Sequence, residues 1–216
     1  MKKTIAVLGL GKYGISLAKS MYDMGSDVLV VDNNPDKLKD IKDHCTAAVC
    51  ADLTNEDEVE LLGLKNMDIV AVCMSGNLSA SIMSVAVAKE LKVPLIVAKS
   101  SSDRMTSILK RIGANKVIVP EETGGEQSAR ILTSENFLDY FQVDANLCMV
   151  EMRPLAKWVG KNMVQLNVRK NYDANVIASK SPTDSHWEIL DPEAPLKADD
   201  QLLIVVEREN LHRINR

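Results

Sequence analysis

Aromatic side chains make up only 4% of the 216 residues, histidine occurs three times and cysteine four times. Cys45, Cys50, Cys73 and Cys148 show no CxxC spacing and fall in apolar stretches, so neither a disulfide framework nor a zinc site is expected. Reduced, buried thiols and a cytoplasmic location fit this pattern better. Basic runs are also missing. Lys and Arg total 26 against 30 Asp and Glu, a formal net charge of -4, and no cluster could neutralise several phosphates, which argues against a nucleic-acid partner. The longest apolar runs, such as "IVAVCM" and "LLIVV", are far shorter than the roughly 20 residues of a membrane span. "MKKTIAVLGLG" opens like a secretory signal, but its apolar part stops at Lys12 and no small-residue cleavage pattern follows, so it reads as a first strand. No internal repeat, low-complexity segment or G-x-x-x-x-G-K-[ST] phosphate loop is present.

What the chain has is an ordinary globular mixture, 46% apolar and 26% charged, long enough for a larger domain plus a smaller one. Short Val- and Ile-rich runs recur at 4–10, 27–32, 46–52, 68–74, 94–100 and 116–120. Helix-periodic segments lie between them at 12–24, 35–43, 55–62, 77–91 and 103–111, several opened by a capping residue such as Asn77 or Asp103. Apolar strands alternating with helices predict an α/β fold, a doubly wound parallel sheet of Rossmann type, over residues 1–122. A connecting helix is expected over 123–141 and a small α+β domain over 142–216. In that second domain a two-faced strand begins at Val143, followed by a short helix in "GKNMVQL" and strands in "ANVIASK", "HWEIL" and "QLLIVVE". A unit of this size has a marginal core, which dimerisation would support.

Gly9, Gly11 and Gly14 follow the first strand as G-L-G-K-Y-G. In a dinucleotide fold the first glycine permits a tight turn, the second lets backbone approach phosphate, and the third lets helix and strand pack closely. The helix N-terminus behind them offers free N–H groups and a positive dipole end to an anion. Asp32 ends the second strand, where a carboxylate accepts from ribose hydroxyls and repels a 2′-phosphate, so NAD or an adenine nucleotide is expected rather than NADP. A glycine turn serving only as a connector is the competing reading. Open α/β sheets bind ligands beyond the carboxyl ends of their strands. There stand Asn33, Asp52, Leu53, Ser75, Gly76, Asn77, Lys99 and Glu121, with Lys12 and Tyr13 in the glycine turn. Asp52 and Leu53 would edge an adenine pocket, Ser75 to Asn77 would close over sugar and phosphates, and Lys99 would supply positive charge. Each also reads as a turn residue, a helix cap or a solvated charge.

Hydride transfer needs an acid or base beside the nicotinamide and a substrate pocket. His44, His186 and His212 all lie away from the expected cleft, no Tyr is followed by Lys four residues on, and the second domain is small for a substrate domain. No catalytic residue is therefore assigned, and the nucleotide reads as a regulatory ligand, with an NAD-linked oxidoreductase as the alternative.

Beyond the glycine motif, "VVDNNPDKL", "ADLTNEDEVELLGLKNMDIVAVCM", "GNLSASIMSVAVAKEL" and "RIGANKVIVPEETGG" appear in order, then "VGKNMVQLNVRKNYDANVIA" and "LKADDQLLIVVE". With them essentially the whole chain resembles the RCK (KTN) domain family, cytoplasmic regulatory subunits of bacterial potassium uptake systems, and in its single-copy length the KtrA type more than the TrkA type. Ala198, Asp199 and Asp200 stand where Gly-Asp is usual in the family, and Lys12 where arginine is frequent.

The resemblance implies a homodimer assembling into a ring, typically an octamer, beneath a membrane-embedded potassium-translocating subunit. ATP, ADP or NAD(H) would bind the first domain, ATP favouring the active ring and ADP the inactive one. Glu121 matches a family acid that holds a cation beside the phosphates, or else a simple helix N-terminal charge. Some relatives bind cyclic di-AMP in the second domain, where Arg169 and Asn175 would occupy matching positions. Lysine in place of arginine at position 12 keeps the charge but loses the planar two-pronged donor, which bears on how ATP and ADP are told apart.

Overall fold

The computed structural model describes residues 2–74, 76–183 and 186–215. The chain divides into two compact units, Met1–Glu121 and Glu122–Arg216.

The first unit runs β1 (Thr4–Leu8), α1 (Lys12–Asp23), β2 (Asp27–Asp32), α2 (Pro35–Ile41), β3 (Ala47–Cys50), α3 (Glu56–Glu60), β4 (Ile69–Val72), α4 (Leu78–Glu90), β5 (Leu95–Lys99), α5 (Asp103–Ile112) and β6 (Lys116–Ile118). All six strands are parallel, in the order β3-β2-β1-β4-β5-β6. This is the doubly wound α/β sheet expected from the alternation of apolar runs and helices. Because successive strand side chains point to opposite faces, β1 splits between two cores. Ala6 and Leu8 join Val70, Val85, Ala88 and Leu109 on one face, while Ile5 and Val7 join Ala18, Leu38 and Ile41 on the other. Both faces of the central strands are covered, and β1 and β4 are correspondingly apolar.

Local signals set most helix starts. Asn34, Asn55 and Asn77 each accept a hydrogen bond from a backbone N–H of the first turn, and Pro35 pre-sets the entry to α2. At α5 the cap is Ser102 rather than Asp103, which lies inside the helix. Strand β3 is the edge of the sheet and is exposed along its length, so Cys50 is an exposed thiol, against the expectation that all four were buried; Cys45 is half-buried and Cys73 and Cys148 are buried.

Helix α6 (Pro120–Leu132) begins before the expected connecting helix and ends well short of it. Residues Phe137–Gln142 are a strand, β7, not the end of a helix. The helix stops because Thr133 Oγ1 turns back to the Ala129 carbonyl and Ser134 Oγ accepts from the N–H groups of Asn136 and Phe137. Phe137 and Tyr140 then enter the second core. The next strand, β8 (Leu147–Met152), starts later than Val143, since Asp144 accepts from the N–H groups of Asn146 and Leu147 and makes a hairpin turn.

The second unit continues through α7 (Met163–Leu166), α8 (Val168–Tyr172), β9 (Ala174–Lys180), β10 (Glu188–Ile189), β11 (Gln201–Glu207) and α9 (Leu211–Ile214). Its sheet is antiparallel, in the order β10-β9-β11-β8-β7. Asn162 and Gln165 form a reciprocal capping box that starts α7. Alternate residues of β8 and β11 (Cys148, Val150, Met152; Leu202, Ile204, Val206) pack with Trp158, Leu155 and Ile214 into one core. Among the described residues no helix is long and apolar enough to cross a membrane.

Candidate functional site

The strand order reverses direction between β1 and β4, and the segments leaving those two strands form the mouth of a cleft. Gly9 adopts φ +92°, a left-handed conformation that L side chains avoid, and a Cβ on it would lie 2.7 Å from the Met74 side chain. A Cβ on Gly14 would meet the Gly9 carbonyl oxygen at 2.1 Å, so the first turn of α1 rests directly on the glycine turn. Gly11 differs from both. A Cβ there would touch nothing within 4 Å, and the residue opens into the cleft. It is also the N-cap of α1 and brings no side-chain cap, leaving the first-turn N–H groups and the positive dipole end to a ligand.

A cavity of about 270 Å³ lies on one side of Gly11, lined by Gly9, Leu10, Asp32, Asn33, Lys37, Ala51, Asp52, Leu53, Cys73, Met74, Gly76, Asn77 and Ala80. Asp32, 5% exposed, accepts from Leu10 N–H at 2.7 Å and Asn34 N–H at 3.0 Å, and Lys37 Nζ stands 3.2 Å from each of its oxygens. The Asp52 carboxylate takes the backbone N–H and hydroxyl of Thr54, which holds it below the usual carboxylate range, while its own N–H donates to Glu58. Asp52 thus builds the turn after β3 as well as the cavity wall. Leu53, 5% exposed, gives an apolar surface suited to a base. Asn77 is committed to capping α4 through Ala80 N–H.

Across Gly11 a second cavity of about 270 Å³ is lined by Gly11, Lys12, Tyr13, Cys73, Lys99, Pro120 and Glu121. Lys99 is 7% exposed, donates to Glu121 Oε1 at 2.5 Å, and lies 5.9 Å from the centre of the Tyr13 ring. That hydrogen bond holds Glu121 below the usual carboxylate range. Burial pushes the Cys73 thiol up to about 12 despite the opposing pull of Lys99, so it is neutral and inert. Burial also raises the Tyr13 phenol. Lys12, the Lys99–Glu121 pair and a helix N-terminus at this end, with the Asp32 carboxylate and an apolar wall at the other, suit a ligand that is apolar at one end and anionic at the other.

The sequence-predicted residues are therefore brought together as two connected groups: Gly9, Gly11, Asp32, Asn33, Asp52, Leu53, Gly76 and Asn77 around one cavity, and Gly11, Lys12, Tyr13, Lys99 and Glu121 around the other. Gly14 lies buried beneath the turn and lines neither. Ser75 lies outside the described residues. Arg169, on α8, and Asn175, on β9, are exposed residues of the second unit. Among the described residues no three His, Cys, Asp or Glu side chains gather as a metal site, and Glu121 faces an ammonium instead. Sequence reading missed Lys37. A lysine in the first turn of a polar helix carries no signal of its own, since its contact with Asp32 depends on how α2 is set beside the end of β2.

A model of the TrkA-N domain matches residues 5–120. Ktr system potassium uptake protein A of Bacillus subtilis (strain 168) is 33% identical over 214 residues, covering 98% of this chain and 95% of that protein. The solved GsuK channel bound to NAD has a TM-score of 0.65 at 15% identity, covering 98% of this chain and 38% of that one. GsuK bound to ADP gives 0.52 at 16% identity, over 63% and 36%. At such identities the likeness to the solved structures speaks for the fold.

Proposed function

Because the chain belongs to the TrkA-N domain family and aligns along nearly its whole length with a Ktr potassium uptake protein, we propose that it is the cytoplasmic, nucleotide-sensing gating subunit of a membrane potassium transporter. The observation that carries this reading is the paired cavity at the β1/β4 crossover, with a carboxylate at one end and Lys12 and Lys99 at the other. The site has the parts to bind and orient a nucleotide. ATP and ADP differ where the lysines stand, and Asp32 is common to every ribose-bearing ligand.

A sensor shifts an equilibrium only by binding its two states unequally, and a change from 1:99 to 99:1 takes about 5.5 kcal/mol. A ring in which each subunit adds about 1 kcal/mol of coupling reaches that value. We read the assembly as homodimers forming a ring, an octamer at full size, under a potassium-translocating membrane subunit. Lys99 takes one oxygen of Glu121 and, among the described residues, no three His, Cys, Asp or Glu side chains gather there, so a cation beside the phosphates would need further donors from the ligand. Cyclic di-AMP is a second ligand for the other unit, with Arg169 and Asn175, both exposed, as its contacts.

The test is isothermal titration with ATP, ADP, NAD and NADH, with light scattering of each complex. Micromolar or tighter binding of ATP and ADP with ligand-dependent assembly supports the gating ring. A response to NADH alone favours an NAD(H)-sensing regulator, a reading the NAD-bound GsuK channel supports by analogy of fold. Turnover of the nicotinamide cofactor would instead mark an oxidoreductase.

A further inference from the structure

An ionised carboxylate offers about four acceptor positions. At Asp32 all four are taken by the protein itself: Leu10 N–H and one approach of Lys37 Nζ at Oδ2, Asn34 N–H and the other approach of Lys37 at Oδ1. The two backbone donors belong to the glycine turn and to the turn after β2, so they stay as long as the fold stays. The ammonium is different. It sits at the end of a flexible arm whose side chain is 41% exposed, and it lies within the cavity that receives the ligand. Its nearest acidic neighbour in sequence, Asp36, is occupied by Lys39 at 2.9 Å, which leaves Asp32 as the carboxylate of Lys37.

We infer that Lys37 is an internal competitor for the ribose position: its ammonium occupies on Asp32 the two acceptor positions that the ribose hydroxyls of an adenine nucleotide take over. This rests on the nucleotide-sensing reading and adds a specific cost to it. Binding must break an ion pair before it makes a ribose contact, so affinity is lowered equally for every ligand with both hydroxyls, whatever its phosphates. The phosphate end, around Lys12 and Lys99, is left to discriminate. A sensor needs its ligands to exchange, and a competitor at the shared end of the ligands speeds release without blurring the difference between them.

Removing the lysine also removes a positive charge from an anion site, so the informative quantity is a ratio in which that general attraction cancels. Calorimetry would compare ADP with 2′,3′-dideoxy-ADP on the full chain, for the wild type, Lys37→Met, Lys37→Gln and Lys37→Arg. The expected result is that the preference for ADP over the dideoxy analogue rises about fivefold in Lys37→Met and Lys37→Gln, the scale of a partly exposed ion pair. Lys37→Arg, which keeps the pair, should retain the wild-type preference. In an Asp32→Ala background the effect of Lys37→Met on that ratio should vanish. An unchanged or reduced ratio in the Met and Gln variants, with wild-type protein preferring ADP normally, overturns the competitor and leaves the nucleotide site standing. Failure of the wild type to bind ADP at all would bring down the nucleotide reading, and the competitor with it.

Discussion

The two units bury their sheets in opposite ways. In the first, adjacent residues of β1 enter separate cores on opposite faces, with helices covering both. In the second, β8 and β11 alternate between buried and partly exposed residues, and one core lies on one face. The consequence is functional. A parallel sheet covered on both faces has its strand ends as the remaining openings, and there the cavities lie. The antiparallel sheet instead carries much of its exposed apolar surface on its strands and their flanks, at Ile177, Trp187 and Ile189.

Substitutions that affect one unit alone test this contrast, and both tryptophans, Trp158 and Trp187, lie in the second unit. Trp158 is fully buried and packs edge-on against Tyr172 at 5.0 Å. Trp158→Ala should cost about 4 kcal/mol through the cavity it leaves. Nucleotide affinity at the first unit should hold, measured by calorimetry below the melting temperature. Gly14→Ala is the counterpart in the first unit, since its Cβ would lie 2.1 Å from the Gly9 carbonyl oxygen. It should cost about 3 kcal/mol. Circular dichroism during urea unfolding should reveal an earlier transition that tryptophan fluorescence does not follow; coincident transitions would mean that the units unfold together.

Within the first unit, the two cavities should separate by ligand. Asp32→Ala should weaken ATP, ADP and NAD alike by about 10- to 100-fold, the scale of hydrogen bonds to a charged group. Lys12→Ala should mainly reduce the difference between ATP and ADP, by up to about fivefold for an exposed charge. Equal losses for both nucleotides in the Lys12 variant would remove that residue from sensing. The smallest effect concerns Glu121. Its carboxyl is held below the ordinary range by Lys99, so it contributes stability above the unfolded carboxylate value of about 4.3, and that contribution is lost as pH falls through the folded value. Glu121→Gln should therefore be slightly less stable than wild type at neutral pH, and the difference should shrink as pH falls below about 4.3, read from urea midpoints.

Legibility in the sequence followed the locality of each signal. The parallel sheet was readable because double burial writes itself as runs such as "TIAVL" and "DVLVVD", and the caps Asn34, Asn55 and Asn77 act on their own helices. The stretch around residues 137–142 was misread as helix because "FLDYF" carries apolar residues at both helical and strand spacings. Its pairing with β8 decides the matter. Lys37 was missed for a related reason: a lysine in a polar helix reads as a solvated charge until β2 and α2 are placed together.

The sequence by itself determined the alternation of elements, the glycine turn and the acid at the end of β2, because each depends on backbone freedom, apolar periodicity or a side chain acting within its own segment. Tertiary structure alone decided that Gly11 joins two cavities, that Lys99 meets Glu121 and that Asp32 is already filled by Leu10, Asn34 and Lys37. Hydrogen bonds and ion pairs form between atoms a few ångströms apart, and sheet order brings those atoms together from segments that the linear chain keeps separate.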